Sequence, residues 1–381
     1  MPKHRVGILT GGGDCPGLNA VIRGVTKTAI NQYGMDVIGF YDGFQGLIEE
    51  RFTKLDYEKV SGILTIGGTI LGTSNTANPF GHIVSENGHT EKIDVSDKCM
   101  ELYHDLGLEA LVCVGGDGTM TIASKLAEKG ANVVGVPKTI DNDLMETDIT
   151  FGFDTARATA TEAIDKLHTT AQSHHRAMLV EVMGRNAGWL ALESGLAGGG
   201  DIILLPEIPY DIGEIIKVVR KRSRFGRRFS IVVVSEGARP IGGSQVVKKV
   251  VADSPDPIRL GGISRVIATQ IEDETGIECR VAVLGHLQRG GTPSAADRSL
   301  ATQFAVKAME MVAEKNFNQM AAVCGREIKS VPIEKVAGKQ RLVPVQSQVI
   351  RAALAVGTSF GVSPEQMAES GKQQKNQPKN C

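Results

Sequence analysis

Short apolar runs that end in glycine and polar residues recur along the chain, and a segment of helical spacing follows most of them. The run at 6–9 leads into Thr10-Gly11-Gly12-Gly13-Asp14, and the run at 37–40 into Tyr41-Asp42-Gly43. Runs at 111–114 and 133–136 lead into Gly115-Gly116-Asp117-Gly118-Thr119 and Pro137-Lys138-Thr139. Those at 178–182, 231–234 and 281–284 end in Met183-Gly184-Arg185, Ser235-Glu236-Gly237 and Gly285-His286. These runs are apolar throughout rather than alternating, the pattern of strands buried on both faces. Helices are predicted between them, for example over 19–31 and 154–172. Such alternation predicts a parallel, doubly wound α/β architecture. Ligands bind at the carboxyl ends of the strands in such sheets. The unusual polar residues lie at those ends, which predicts one composite active site.

At 381 residues the chain is long for one domain and fits two, and a 41% hydrophobic content can bury sizeable cores. Residues 143–152 are a candidate crossing between domains. The stretch 238–256, rich in Gly, Pro and Ser, reads as a loop or insertion, and the polar tail 366–381 as disordered. With 43 acidic and 42 basic residues the net charge is −1, which argues against a nucleic-acid or membrane-surface protein. An anionic ligand must then be held by local clusters of charge. No apolar run reaches the roughly 18 residues of a spanning helix, and the N-terminus lacks the apolar core of a signal peptide. Cys15, Cys99, Cys113, Cys279, Cys324 and Cys381 are scattered without a CxxC pair. That spacing predicts neither a zinc site nor a disulfide framework, and fits a reducing cytosol.

The polar turns carry the candidate chemistry. Gly11 to Gly17 follows a strand and opens a helix, so its backbone N–H groups can approach a phosphate, or it is simply a tight turn. It matches neither GxGxxG nor GxxxxGK[ST]. In the second glycine loop, Asp117 suits a Mg²⁺ ion bridging donor phosphates, and Thr119 suits a phosphate oxygen. Asp141 and Asp143 are two apart, so in extended chain they face one way. Beside Lys138 they suit hydroxyl activation, one carboxylate taking the proton and the other holding a metal or orienting its partner. Capping of a helix by Asn142 or Asp143 is the alternative. Arg176, Arg185, Arg280 and Arg289, together with His286, stand at strand ends where an anion binder is useful. Glu236 can accept sugar hydroxyls. The basic stretch 220–228 is an effector site or the solvated end of a helix, and His174-His175 has no metal-ligand spacing.

The set GGGDCPGLNAVIRG, GGDGT, PKTIDND, VEVMGR, EG and LGHLQRGG, in this order from about residue 4 to about residue 310, resembles the phosphofructokinases. The combination of TIDND, MGR and GHxQRGG is the specific part. The resemblance implies two Rossmann-like doubly wound domains with the active site in the cleft. It implies a donor domain of residues 1–152 plus about 288–340, and a sugar domain of 153–287 plus part of 341–365. It also implies a cytoplasmic, Mg²⁺-dependent kinase that moves the γ-phosphoryl group of ATP to the 1-hydroxyl of fructose 6-phosphate. Asp141 would be the base, with Lys138, Gly118 and Arg185 in the catalytic set. Asp117 would hold Mg²⁺. Gly13, Asn75, Thr76, Gly116, Gly118 and Thr119 would hold the donor. Thr139, Ile140, Asp143, Met183, Gly184 and Glu236 would contact the sugar phosphate, as would His286, Leu287, Gln288 and Arg289. Arg176 and Arg280 resemble the arginines that reach into a neighbouring subunit, which implies a homo-oligomer, dimer or tetramer.

The chain departs from the family's pattern in three ways. Asn75 stands where many bacterial ATP-dependent members carry an arginine. Arg23 and Arg227 remain of the effector-site arginines, but Lys27, Tyr57 and His168 fill other positions, so control by ADP or phosphoenolpyruvate is expected to be weak. Lys138 resembles the pyrophosphate-using branch and Gly118 the ATP-using one. The alternatives are thus a pyrophosphate-dependent enzyme, a non-catalytic sugar-phosphate-binding subunit, or an NAD or lipid kinase. Intact Asp117 and Asp141 oppose the second of these, and MGR with GHLQRGG the last.

Overall fold

All seven apolar runs form strands in the computed structural model, which describes residues 4–86, 89–224, 228–250 and 258–374. Two sheets organise them. The larger has eight strands. Its order is Glu327–Pro332, Gln319–Cys324, Val133–Thr139, Leu108–Gly115, Arg5–Thr10, Asp36–Phe40, Phe52–Leu55, and Phe151–Gly152 pairs with Val133–Thr139 off this path. Its centre is parallel, with Val6 opposite Val37 on one side and Ala110 on the other. Both edges are antiparallel, Val37 facing Leu55 and Met320 facing Val331. The parallel, doubly wound architecture read from the pattern holds at the centre, and the antiparallel pairing is confined to these edges. The short Gly325-Arg326 turn, with Gly325 at φ +68°, permits only a hairpin. The smaller sheet is parallel throughout, ordered Ile202–Leu204, Ser230–Ser235, Ala177–Val182, Cys279–Val283.

Burial explains why the runs read as continuously apolar. Arg5–Thr10 is buried from Val6 onward, and Ala177–Val182 and Ser230–Ser235 are buried at every position. Cys279–Val283 is the exception, with Val283 49% exposed, because it is an edge strand of the smaller sheet. The chain leaves the larger sheet at Gly152 and enters the smaller at Ala177 through the long helix Phe153–His174. It returns through helix Ala295–Ala313, which packs on helix Leu18–Thr28. A Cβ at Gly24 would come within 2.5 Å of the Ala305 Cβ, so only glycine allows these helices to approach so closely.

Two expectations change. Residues 366–373 are not a disordered tail but part of helix Pro364–Gln373. Its Ser363 cap accepts from the Gln366 N–H, and the Gln366 side chain accepts from the Ser363 N–H. Within the predicted loop 238–256, Val247–Val250 pairs antiparallel with Ile258–Leu260; residues 251–256 lie outside those described. Cys15, Cys99, Cys113 and Cys279 are buried free thiols. Among the described residues, no helix is long and apolar enough to cross a membrane.

Candidate active site

The carboxyl ends of Arg5–Thr10, Leu108–Gly115 and Val133–Thr139 meet around a cavity of about 450 Å³. Of the expected site residues, Gly13, Asn75, Gly116, Asp117, Gly118, Thr119, Lys138, Thr139, Asp141, Asp143 and Arg289 line it. The two glycine loops lock around Thr119. A Cβ at Gly11 would lie 2.7 Å from its Oγ1, and one at Gly115 only 2.1 Å. Thr119 is therefore 4% exposed, wedged between loops as well as facing the cavity. Gly116 precedes helix Asp117–Glu128, whose N-terminus points its partial positive charge at this space. A Cβ at Gly118 would meet nothing within 4 Å, so its missing side chain leaves the cavity open.

Cations line the opposite wall. Buried Lys138 donates from Nζ to the Gly13 carbonyl, and desolvation holds its pKa below the usual lysine range. Arg289 donates to the Asp14 carbonyl at 2.9 Å and lies against Gly13, where a Cβ would sit 2.7 Å from its Nη1. Arg289 thus joins the first glycine loop to the carboxylates, a donor-side position beyond the sugar-phosphate role expected of it.

Asp141 and Asp143 both reach the cavity, but not by the geometry the sequence suggests. Asn142 between them is left-handed, at φ +52°, so this is a turn and not extended chain. No helix starts there. Asn142 Oδ1 accepts instead from Thr150, at 3.1 Å from its N–H and 3.4 Å from its hydroxyl, which anchors the turn. Burial, opposed by Arg289, raises the Asp141 carboxyl above its usual range. Burial and then the Asp141 charge raise Asp143. Asp141 Oδ1 is buried without a hydrogen-bond partner among the described residues. A buried, unpaired carboxylate oxygen is costly unless a ligand group meets it.

Asp117 is held by a residue the sequence did not flag. Its Oδ1 accepts from the Gly338 N–H at 2.7 Å, and burial raises its pKa. Among the described residues, no group of three or more His, Cys, Asp or Glu gathers as a metal cage. One carboxylate beside a phosphate-sized space fits Mg²⁺, which keeps several waters and takes its other ligands from substrate phosphates.

Of the residues expected to contact the sugar phosphate, Met183, Gly184, Arg185 and Glu236 follow strands of the smaller sheet. Gly184 is at φ +133°, and a Cβ would strike the Ser235 Oγ at 2.7 Å and the Ala187 carbonyl at 2.8 Å. The Gly184 carbonyl accepts from Ser235 Oγ and the Gly237 N–H, which ties Met183-Gly184-Arg185 to Glu236-Gly237. Burial, and next Glu181, raises the Glu236 carboxyl. His286 and Leu287 are exposed, Leu287 to 70%. Gln288 is fully buried; its Oε1 accepts from the Met183 N–H at 2.9 Å, and its Nε2 is a buried donor without a hydrogen-bond partner among the described residues. Ile140 is 1% exposed, a core residue beneath Asp141. Thr76 does not line the cavity; its N–H donates to Ser74 Oγ.

Arg176 and Arg280 stand at the amino ends of their strands, away from the cavity, and both pair with Glu278. A six-residue strand spans about 20 Å, so neither arginine reaches this chain's own site. At the positions where the resemblance places effector-site arginines, Lys27 lies 5.5 Å from the Tyr57 ring centre and His168 Nε2 meets the Gly198 carbonyl at 2.6 Å. Arg227 lies outside the described residues.

The "Phosphofructokinase" family profile matches residues 5–312. The ATP-dependent 6-phosphofructokinase 2 of Clostridium perfringens is 54% identical over 362 residues, 94% of this chain and 99% of that protein. The pyrophosphate–fructose 6-phosphate 1-phosphotransferase of Amycolatopsis methanolica is 48% identical over 341 residues, 89% of this chain and 96% of that protein. Among solved structures, Pichia pastoris phosphofructokinase in the T-state superposes with a TM-score of 0.75 at 30% identity. That match covers 98% of this chain but only 39% of the Pichia chain.

Proposed function

The chain belongs to the phosphofructokinase family, and from that premise we propose that it is an ATP-dependent 6-phosphofructokinase. It moves the γ-phosphoryl group of ATP to the 1-hydroxyl of fructose 6-phosphate, giving fructose 1,6-bisphosphate and ADP. The observation that carries this reading is the unpartnered Asp141 oxygen on a cavity shared by two glycine loops, Lys138 and Arg289.

On this reading Asp141 accepts the proton of the attacking hydroxyl, and its raised pKa suits a base near neutral pH. Lys138 and Arg289 neutralise charge on the transferred group, which supplies what an arginine at Asn75 would give. The N-terminus of helix Asp117–Glu128 cradles the donor phosphates. Asp117 would hold Mg²⁺, which when bound neutralises charge developing on the phosphates. Met183, Gly184, Arg185, Glu236 and His286 orient the sugar phosphate. We assign the larger sheet to the donor half and the smaller to the sugar half, with the halves joined at about residue 152. Arg176 and Arg280 complete the site of a neighbouring subunit, so the enzyme is a homo-oligomer, and it works in the cytoplasm.

Pyrophosphate is a second donor reading, supported by the buried Lys138 ammonium and by the Amycolatopsis relative. The test is kcat/KM with fructose 6-phosphate, Mg²⁺ and either donor on purified protein. ATP is expected to win. A higher value with pyrophosphate would overturn the donor assignment, and no turnover with either would overturn the function.

A further inference from the structure

Behind the reacting groups lies a second cavity, of about 600 Å³. Its walls are the backs of the loops that carry the site. On one side, Gln245 donates to the carbonyls of Arg185 at 2.9 Å and Gly237 at 3.1 Å, and so spans both sugar-side loops. On the other, Gln340 and Leu342 flank Arg341. The Arg341 backbone N–H donates to the Asp143 carbonyl at 2.7 Å, and its guanidinium donates to the Asn142 carbonyl at 3.1 Å. Gly338, a few residues earlier, is the donor to Asp117. Glu207 closes the floor, with its carboxylate accepting from Gly188 and Val343 N–H groups at 2.9 and 2.8 Å. An occupant would thus touch Gln245, one hydrogen bond from the Arg185 carbonyl, and Gln340 and Leu342, the chain neighbours of the Arg341 that bonds the Asp143 carbonyl.

The lining also has a chemistry. Its formal charges are Arg239 and Glu207. Burial pushes the Glu207 carboxyl up to about 7, and its oxygens are already engaged, so it opposes an anion weakly. Arg239 is exposed, and a guanidinium there can take a phosphoryl group with two N–H donors. Hydroxyls and carboxamides of Ser244, Ser370 and Gln340 suit the hydroxyls of a sugar. Among the described residues no aromatic ring lines the cavity to stack a nucleobase.

We propose that this cavity is a second ligand site for a sugar monophosphate, with its phosphoryl group on Arg239 and its hydroxyls on Ser244, Ser370 and Gln340. Its occupant changes catalysis through Gln245 and the segment 338–343. This goes beyond phosphoryl transfer and is independent of which donor the enzyme uses.

The test uses the full chain and glucose 6-phosphate as the probe, in calorimetric titrations. Arg239→Ala and Ser244→Trp, both on the exposed rim, should weaken binding at least about tenfold. Arg185→Ala, which damages the sugar subsite of the active site, should leave it within about threefold. In steady-state assays the probe should shift the KM for fructose 6-phosphate at least about twofold in the unmodified enzyme. That shift should vanish in Arg239→Ala, whose basal rate is unchanged. Absence of saturable binding up to about 10 mM overturns the site. So does binding that Arg185→Ala abolishes, or that Arg239→Ala and Ser244→Trp leave intact. Saturable binding with no effect on KM or kcat overturns the coupling.

Discussion

Replacing Gly118 with Asp isolates the donor's α-phosphate from every other part of the site. Gly118 is the second residue of helix Asp117–Glu128 and lines the cavity. A Cβ there meets no heavy atom within 4 Å, so the new side chain enters free space and strains nothing. A carboxylate in the first turn is also favoured by the helix dipole, by about 0.3–1 kcal/mol, so Gly118→Asp should fold and melt like the parent. Its effect falls on the ligand. A carboxylate at about 5 Å from a phosphate charge, in an effective dielectric of about 20, repels it by roughly 3 kcal/mol. That corresponds to a loss of about a hundredfold in kcat/KM for ATP. Pyrophosphate has no α-phosphate or nucleoside beyond the transferred pair, so its kcat/KM should change less than about tenfold. The assay is steady-state turnover with each donor, with thermal melting in parallel. An ATP kcat/KM within about threefold of the parent, at unchanged melting temperature, would show that Gly118 does not keep the donor's path open.

Four further outcomes are expected. Asp141→Asn should keep the KM for fructose 6-phosphate and lower kcat by roughly 10²–10⁴; turnover within tenfold of the parent removes Asp141 from the base role. Asp143 is raised by burial, so its stabilising effect is complete below the unfolded value of about 3.9 and is lost as pH climbs through the higher folded value. Asp143→Asn should therefore melt higher than the parent at pH 8 but not at pH 4, and an equal shift at both pH values would contradict this. A Cβ at Gly237 would lie 1.9 Å from the Arg185 carbonyl oxygen, so Gly237→Ala should cost about 1–3 kcal/mol and raise the KM for the sugar phosphate; a silent substitution would mean that this loop pair is not held tightly. Mixed oligomers of Arg176→Ala and Asp141→Asn chains should regain activity that neither parent has, whereas a fully active monomer would refute a shared site.

Regular burial made most of the fold legible. Strands buried on both faces leave an unbroken apolar run, so 6–9, 111–114 and 231–234 announced themselves. The edges of the larger sheet did not, because those two strands alternate with solvent. Glu327–Pro332 carries exposed Glu327 and Lys329 beside buried Val331, and Phe52–Leu55 buries only Leu55. The site was legible where its chemistry is local. Asp141 and Asp143 were found as a pair although their supposed extended geometry was wrong, because a left-handed Asn142 brings two carboxylates to one cavity as well as a strand would. Gln288 shows what residue type leaves open: its carbonyl oxygen anchors the Met183 N–H while its buried Nε2 has no partner among the described residues, and only the structure reveals which way each atom faces.

Least legible was the segment 338–343, which has no motif because it works through its backbone. Gly338 gives its N–H to Asp117, and Arg341 gives its own to Asp143 while its guanidinium lies 4.2 Å from the Trp189 ring centre. Trp189 opens the helix that follows Met183-Gly184-Arg185, and its indole N–H donates to the Arg341 carbonyl at 3.0 Å. One short stretch therefore touches Asp117, the Asp141–Asp143 turn and the helix after Met183-Gly184-Arg185 together. Backbone hydrogen bonds are indifferent to side-chain identity, so composition could not reveal this. A shift of the segment by a fraction of an ångström would change all three contacts at once, because hydrogen bonds weaken steeply with poor geometry. The cavity bordered by Gln340 and Leu342 adjoins this stretch. On the proposal above, a ligand there would act on a linkage that already joins Asp117, the Asp141–Asp143 turn and the Trp189 helix, and would need no long chain of intermediates to alter turnover.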